Sequence, residues 1–142
     1  CAATNTSLHL IEPLGFDITE KTLRRAGLDY WKDLDVRVYD NFPDFMERNP
    51  SGRKYFLTTK GRCCYSEARF EGGDYLIFGR ESAGIPEEML MADKDRGIRI
   101  PMSEEQRSLN LSNSVAIILY EALRQNSFAG LEKEGQLHNH IW

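Results

Sequence analysis

The stretch Ile100-Pro-Met-Ser-Glu-Glu-Gln-Arg-Ser-Leu-Asn-Leu-Ser-Asn-Ser-Val-Ala-Ile117 concentrates the side chains of this chain that are best suited to hold a ligand. Arg107, Ser108, Asn110 and Ser112 crowd a loop that leads into an apolar helix. Free backbone amides and the positive dipole end at the start of a helix favour a carboxylate or a phosphate. Capping by Ser112 or Asn110 would account for one of these polar residues but not for four. We therefore expect this loop to bind an anionic group.

A second candidate loop is Phe78-Gly-Arg-Glu-Ser-Ala-Gly-Ile-Pro86, which precedes the first loop by about one βα unit. Gly79 would let a flat ligand approach the backbone, and Gly84 permits a sharp turn before Pro86 begins a helix. Taken alone, a tight βα turn with Glu81 near a helix N-terminus is the simpler interpretation. The loop lacks Gly-x-Gly-x-x-Gly and a Walker lysine, which argues against dinucleotide and nucleoside-triphosphate sites.

Alternating strands and helices are predicted to position both loops. The apolar runs predict strands at residues 7–11, 36–39, 54–58, 75–78 and 97–100. Helices are predicted at 20–26, 43–48, 86–91 and 112–124, with residues 59–70 irregular and 130–142 a C-terminal tail. This order predicts an α/β fold with a mostly parallel sheet and helices on both faces. Ligands of such folds sit at the carboxyl ends of the strands, where both loops begin.

The chain has 142 residues, of which 41% are hydrophobic and 28% are charged. This length and composition favour one globular domain spanning residues 1–142. The sequence contains neither a membrane-spanning run nor a secretory signal, so the expected location is cytoplasmic. Cys1, Cys63 and Cys64 are odd in number and lack zinc-ligand spacing, which predicts reduced thiols and no metal.

The net charge of −4 argues against a broadly basic protein that coats nucleic acid. Local basic clusters could nevertheless meet phosphate groups. One lies on a short predicted helix and the other brackets a predicted strand: Lys21, Arg24 and Arg25, and Arg53, Lys54, Lys60 and Arg62. Solvated helix and loop faces are the alternative interpretation of both clusters.

Three motifs in order resemble those of the SPOUT RNA methyltransferases, which have a C-terminal deep trefoil knot. They are Leu57-Thr-Thr-Lys-Gly61, the loop at 78–86, and Ile100-Pro-Met102 followed by Arg107-Ser-Leu-Asn-Leu-Ser-Asn113. Two further segments, Ser7-Leu-His-Leu-Ile-Glu-Pro-Leu-Gly15 and Leu23-Arg-Arg-Ala-Gly-Leu-Asp-Tyr30, are similar to the small, single-domain tRNA ribose 2′-O-methyltransferases that act on wobble cytidine or uridine, the TrmL or YibK type. The resemblance spans residues 1 to about 128.

The resemblance implies a homodimer that binds tRNA and holds S-adenosylmethionine in the knot, giving S-adenosylhomocysteine as product, with no metal and no membrane. It implies cofactor contacts at nine positions: Leu57, Thr58, Gly79, Glu81, Ile100, Met102, Ser108, Leu109 and Asn110. The implied catalytic residues are Glu81, Asn110 and Tyr120, although a tyrosine on an apolar helix more often belongs to the core. The RNA-binding candidates are Lys21, Arg24, Arg25, Lys60, Arg62, Arg80 and Arg107.

One departure concerns the start of the chain. In the family, an arginine in a loop after the first strand helps to position or deprotonate the ribose hydroxyl, and that strand and loop would lie upstream of Cys1. Without an internal strand, neighbouring strands lose hydrogen-bond partners. We therefore expect the natural protein to carry this upstream segment, and the chain as it stands to be inactive or destabilised.

The leading hypothesis is S-adenosylmethionine-dependent 2′-O-methylation of the nucleotide at position 34 of tRNA, particularly of leucine tRNAs. A non-catalytic RNA-binding or dimerisation module of the same fold is an alternative, as is methylation at another RNA position. A generic α/β phosphate-ester enzyme is disfavoured, because the sequence offers neither an acidic metal cluster nor a nucleophile beside a base.

Overall fold

The computed structural model describes residues 1–15, 31 and 33–140, with the side chain of residue 92 excepted. The chain divides into two compact units, Cys1–Ser51 and Gly52–Trp142. The predicted helix at 20–26, the motif at 23–30 and the candidates Lys21, Arg24 and Arg25 lie outside the described residues. The interpretation of the whole chain as one domain stays a prediction.

The first unit contains a pair of parallel strands and a helix. Strand β1 (Leu8–Ile11) pairs with β2 (Val36–Tyr39), close to the predicted bounds of both. Helix α1 (Phe42–Arg48) begins after Asn41, whose side chain accepts a hydrogen bond from the backbone amide of Asp44 at 2.9 Å. This cap and a proline in the first turn explain why the helix starts there.

An aromatic cluster forms the interior of the first unit. Tyr39 and Phe45 are buried and pack edge to face, with ring centroids 5.2 Å apart. Nδ1 of His9 lies 2.8 Å from the hydroxyl of Tyr39, and the guanidinium of Arg48 lies 4.5 Å from the centre of the Tyr39 ring. Burial, assisted by the charge of Arg37, lowers the pKa of His9, so the cluster favours the neutral imidazole.

The second unit is built on a four-stranded parallel sheet. Its strands are β3 (Lys54–Leu57), β4 (Cys63–Cys64), β5 (Tyr75–Phe78) and β6 (Gly97–Arg99), in the order β4-β6-β3-β5. Every pair is parallel, which confirms the α/β class. The described strands of the first unit form a two-stranded sheet, and those of the second unit form the four-stranded one.

Strand β4 corrects the prediction that residues 59–70 are irregular. It is followed by a 3₁₀ turn at Tyr65–Glu67. Two residues are too few to show strand periodicity, so β4 could not be recognised from the sequence pattern. Its partner is β6, with Cys63 opposite Ile98. The approach to β6 requires a glycine just before β4, because a Cβ on Gly61 would lie 2.6 Å from the carbonyl carbon of Ile98.

Two helices complete the second unit, α2 (Glu87–Ala92) and α3 (Leu111–Gln125), each within a residue of its predicted bounds. Helix α3 buries Ile118 completely, in a core with Tyr55, Phe70 and Ile98. The far end of α3 is tied to the segment after β4. Its Gln125 accepts a hydrogen bond from the backbone amide of Phe70 at 2.8 Å and donates one to the carbonyl of residue 68 at 3.0 Å. These contacts fix the helix whose first turn borders the candidate site.

Among the described helices, none combines the length and the apolar character that crossing a bilayer requires. Cys1, Cys63 and Cys64 form no disulfide bond in the described structure.

Candidate functional site

A cavity of about 500 Å³ lies in the second unit where β3 and β5 end and where the chain leaves β6. Its walls come from residues 57–60, 78–85, 100–102 and 107–114, which include both loops identified from the sequence. The volume falls in the range of pockets that hold cofactors and other small molecules. Its position at the carboxyl ends of parallel strands is the expected one for an α/β fold.

The wall of the cavity changes from apolar to charged between base and rim. Leu57, Phe78 and Ile100 end or follow the strands and are half-buried. Around the rim, the charged side chains of Lys60, Arg80, Glu81 and Arg107 and the hydroxyl of Ser108 are exposed. Such a wall can hold a flat apolar group at its base and charged groups at its opening.

The loop after β5 folds back on itself around two glycines. The amide of Gly84 donates a hydrogen bond to the carbonyl of Arg80 at 2.7 Å, and Gly84 has a φ of +69°. The sharp turn predicted at Gly84 is confirmed. Gly79 is also needed for packing within the loop, because a Cβ there would overlap the backbone of Gly84 and Ile85. The close approach of a ligand to its backbone stays a prediction.

The loop after β3 turns sharply and carries a lysine to the cavity. The amide of Thr58 donates to the carbonyl of Ile98 at 3.0 Å, and the amide of Gly61 donates to the carbonyl of Thr58 at 3.1 Å. Nζ of Lys60 forms an ion pair with Glu87, the first residue of α2. The hydrogen bond and charge of Lys60 lower the pKa of Glu87.

The loop before α3 uses more of its polar residues for capping than predicted. Oδ1 of Asn110 accepts hydrogen bonds from the hydroxyl of Ser112 at 2.6 Å and from the amide of Asn113 at 3.2 Å. The hydroxyl of Ser114 donates to the carbonyl of Asn110 at 3.1 Å. Capping thus accounts for Asn110 and Ser112 together. No described residue accepts a hydrogen bond from Nδ2 of Asn110, so this group remains as a donor.

The structure brings all nine of the predicted cofactor-contact residues to the cavity wall. They are Leu57, Thr58, Gly79, Glu81, Ile100, Met102, Ser108, Leu109 and Asn110. Two of them, Glu81 and Asn110, are also catalytic candidates. Their contact with a cofactor or substrate stays a prediction.

Of the basic candidates that the structure describes, Lys60, Arg80 and Arg107 line the cavity, whereas Arg62 does not. The other two members of the basic cluster around β3, Arg53 and Lys54, do not line the cavity and instead stabilise the fold. Arg53 forms an ion pair with Asp74 at 2.8 Å, and Lys54 is buried.

The third catalytic candidate, Tyr120, is not part of the cavity wall. It lies nine residues beyond Leu111, about 14 Å along α3. Its side chain is half-exposed, at 50%, so the alternative assignment of Tyr120 to the core is wrong.

Sequence reasoning missed several wall residues, including Thr59, Ile85 and Ser114. Ile85 is buried, and it anchors the end of the loop after β5. The signal for Ser114 was its spacing of four residues from Asn110, which places a side chain beside the helix cap. Among the described residues, no group of three or more His, Cys, Asp or Glu side chains could hold a metal ion.

Comparison with known proteins gives matches over most of the chain. The sequence profile described as the SpoU rRNA Methylase family matches residues 1–120. A relative from Geobacillus stearothermophilus, provisionally named a tRNA (cytidine(34)-2′-O)-methyltransferase, is 51% identical over 134 residues. The match covers 92% of this chain and 85% of that relative.

Solved structures give a similar result. One, described as giving insights into the 2-OH methylation of C/U34 on tRNA, has a TM-score of 0.82 and 46% identity, covering 89% of this chain and 82% of that one. Another is the AdoMet-bound rRNA methyltransferase of Sinorhizobium meliloti, with a TM-score of 0.72 and 25% identity. That match covers 87% of this chain and 47% of the other chain. The family predicted from the three motifs is confirmed.

Proposed function

We propose that this chain, which belongs to the SpoU rRNA methylase family, transfers a methyl group from S-adenosylmethionine to the 2′-oxygen of ribose 34 in tRNA. One structural observation carries the proposal. A single cavity at the ends of β3, β5 and β6 is lined by every residue that matches a cofactor contact of the family. The names of the relative at 51% identity and of the C/U34 structure at 46% identity support the position on the tRNA.

The cavity wall fits S-adenosylmethionine, the ligand of the AdoMet-bound neighbour. Leu57, Ile100 and Leu109 offer apolar surface to an adenine ring, and Leu109 is 40% exposed. Ser108 and Glu81 offer a hydroxyl and a carboxylate to polar and positively charged groups. When bound, the cofactor supplies a methyl group on a positively charged sulfur, which is already activated for transfer.

The residues of the chain then have to orient the ribose 2′-hydroxyl and accept its proton. Nδ2 of Asn110 can donate a hydrogen bond to a ribose oxygen, since Oδ1 is held by the helix cap. The carboxylate of Glu81 can accept the proton of the 2′-hydroxyl. Alignment of the reacting atoms can supply a large part of the acceleration in such a transfer, and a wall fixed by three strand ends suits that task.

Three cations at the rim support RNA as the substrate. Lys60, Arg80 and Arg107 lie where phosphates of an RNA that enters the cavity would pass. An unpaired anticodon loop suits this arrangement, because its bases and 2′-hydroxyls can be presented singly. Leucine tRNAs with cytidine or uridine at position 34 are the proposed substrates, and the cytoplasm is the proposed location.

A homodimer with the family's trefoil knot is part of the proposal. Helix α3 exposes Ile117 and Tyr120, at 37% and 50%, three residues apart on one face. A second copy that covered this face would bury apolar surface that is otherwise open to water. In such a dimer, Tyr120 would act at an interface, and its proposed catalytic role depends on the partner.

Transfer of labelled methyl to an unmodified leucine tRNA transcript tests the proposed function. We expect label at ribose 34, mapped by nuclease digestion and mass spectrometry. A transcript with 2′-deoxyribose only at position 34 is the matched control and should accept no label. A third transcript, with 2′-deoxyribose at position 32, should accept label normally, because its acceptor oxygen is intact.

The other outcomes separate the alternatives. Label at another nucleotide would keep the methyltransferase activity and contradict position 34. Binding of tRNA and S-adenosylmethionine without any transfer would contradict catalysis and favour a non-catalytic RNA-binding module. No binding of S-adenosylmethionine would contradict the role proposed for the cavity.

A further inference from the structure

The three cations that line the cavity differ in their partners. Nζ of Lys60 forms an ion pair with Oε1 of Glu87. Within residues 1–15, 31 and 33–140, neither Arg80 nor Arg107 forms an ion pair with another residue. Lys60 is therefore the one described cation at the rim that already holds an oxyanion.

The position of Glu87 follows from the chain on either side of it. Ile85 is buried and Pro86 precedes the first turn of α2, so the backbone that carries Glu87 is held in place. On the other side of the pair, the turn between Thr58 and Gly61 holds the backbone of Lys60. The ion pair thus joins the loop after β3 to the start of α2, across residues 27 positions apart.

The pair is suited to exchange its anion. The side chains of Lys60 and Glu87 are 56% and 70% exposed, so water and other anions can reach both. An exposed ion pair contributes little to stability, and a carboxylate carries the same kind of acceptor oxygens as a phosphate diester. The phosphates of an RNA chain can therefore displace Glu87 without disturbing the fold.

We propose that Glu87 is an internal competitor of RNA, which occupies Lys60 until a phosphate of the bound RNA replaces it. The inference rests on the proposed function in that RNA is the ligand. Each productive complex exchanges the Lys60–Glu87 pair for a Lys60–phosphate pair. Glu87 therefore lowers the affinity of the rim for RNA backbone.

The first test compares the affinities of three proteins for an unmodified leucine tRNA transcript at one low salt concentration. Glu87→Gln removes the competing charge and keeps the size of the side chain, and we expect about threefold tighter binding. Glu88→Gln is the matched control, because it removes the same charge from the next residue of α2. We expect a clearly smaller change from this control.

The second test removes the cation. In a Lys60→Met background, Glu87→Gln should give no further gain in affinity, because the competitor has nothing left to occupy. A gain that persists without Lys60, or an equal gain from Glu88→Gln, would show general charge repulsion and overturn the inference. Unchanged affinity in Glu87→Gln would also overturn it.

Affinity for S-adenosylmethionine, measured by calorimetry on the same proteins, separates the two ligands. We expect Glu87→Gln to leave it unchanged. A change in cofactor affinity with no change in RNA affinity would assign Lys60 to the cofactor and overturn the inference. Failure of the unsubstituted protein to bind the transcript at all would instead contradict the proposed function.

Discussion

The two edges of the four-stranded sheet use charged residues in opposite ways. At the amino edge, before β3 and β5, Arg53 donates two hydrogen bonds to Asp74, at 2.9 and 2.8 Å. Lys54 is buried there and donates to the carbonyl of Gly52 at 2.9 Å. At the carboxyl edge, Arg80 and Arg107 border an open cavity and form no ion pair with a described residue.

The difference shows that the partner, more than the residue type, separates a structural cation from a binding one. Burial lowers the pKa of Lys54, and the hydrogen bonds that Arg53 donates to Asp74 raise the pKa of Arg53. Both groups are committed to the fold. A cation on the wall of a cavity without such a carboxylate is available to an incoming anion.

The largest expected effect is at the carboxyl edge. Gly79→Ala places a Cβ against the backbone of Gly84 and Ile85 and must displace the loop after β5. We expect kcat/KM for tRNA methylation to fall about 100-fold, since displacements of about 1 Å can cost that much. The control is Gly72→Ala, at which no atom lies within 4 Å of the added Cβ. Comparable losses in both variants would contradict the role given to this loop.

The amino edge should respond in stability instead of activity. Asp74→Ala removes a carboxylate that is 7% exposed and accepts hydrogen bonds from Arg53 and from the amide of Glu71. We expect the free energy of unfolding in urea to fall by about 1–2 kcal/mol. Glu71→Ala, at the exposed end of the same network, should cost much less. If folded Asp74→Ala lost much of its affinity for the cofactor, the claim that the amino edge serves stability and the carboxyl edge serves binding would be contradicted.

Low pH should decrease the free energy of unfolding, because Asp74 at the amino edge of the sheet becomes protonated. Burial raises the pKa of this carboxyl group, but hydrogen bonds from Arg53 and Glu71 outweigh burial and hold it below the ordinary value of 3.8. Its contribution to stability is therefore fully present above about pH 4 and is lost as the pH falls through the lowered pKa. Urea unfolding from pH 5 to pH 3 should show a steeper loss in the unsubstituted protein than in Asp74→Asn. Equal slopes would contradict this.

The smallest expected effect concerns the rim. Arg107→Gln should weaken binding of tRNA and reduce the slope of log affinity against log salt by about one, the value for one lost phosphate contact. Arg62 does not line the cavity, so Arg62→Gln should change this slope less than Arg107→Gln does. A larger change from Arg62→Gln would place the RNA elsewhere on the protein.

Much of the second unit could be predicted because its strands are short apolar runs followed by glycine or polar loops. Residues 75–78 are an example, since their predicted bounds agree with β5. Strand β4 could not be predicted, because pairing with β6 defines its two residues and periodicity does not. The residues of the cavity wall were predicted from the resemblance of the motifs to a family, since the pattern of the sequence alone does not show that residues so far apart in the chain lie at one edge of the sheet.

The partner of each charged side chain could not be predicted from the sequence. Arg53 precedes β3 and Lys60 follows it, and only the fold shows that Arg53 meets Asp74 and Lys60 meets Glu87. For the same reason, the sequence predicted capping by either Asn110 or Ser112, whereas both take part in one helix cap. Local sequence limits which contacts can form, whereas tertiary structure decides which do.

A crystal structure of the protein with S-adenosylhomocysteine would test most directly that this cavity is the methyl-donor site. We predict density for the ligand in the cavity, in contact with the backbone at Leu57, Gly79 and Ile100 and with the loop at Ser108. Ligand bound at another place, with this cavity empty at saturating concentration, would contradict the account.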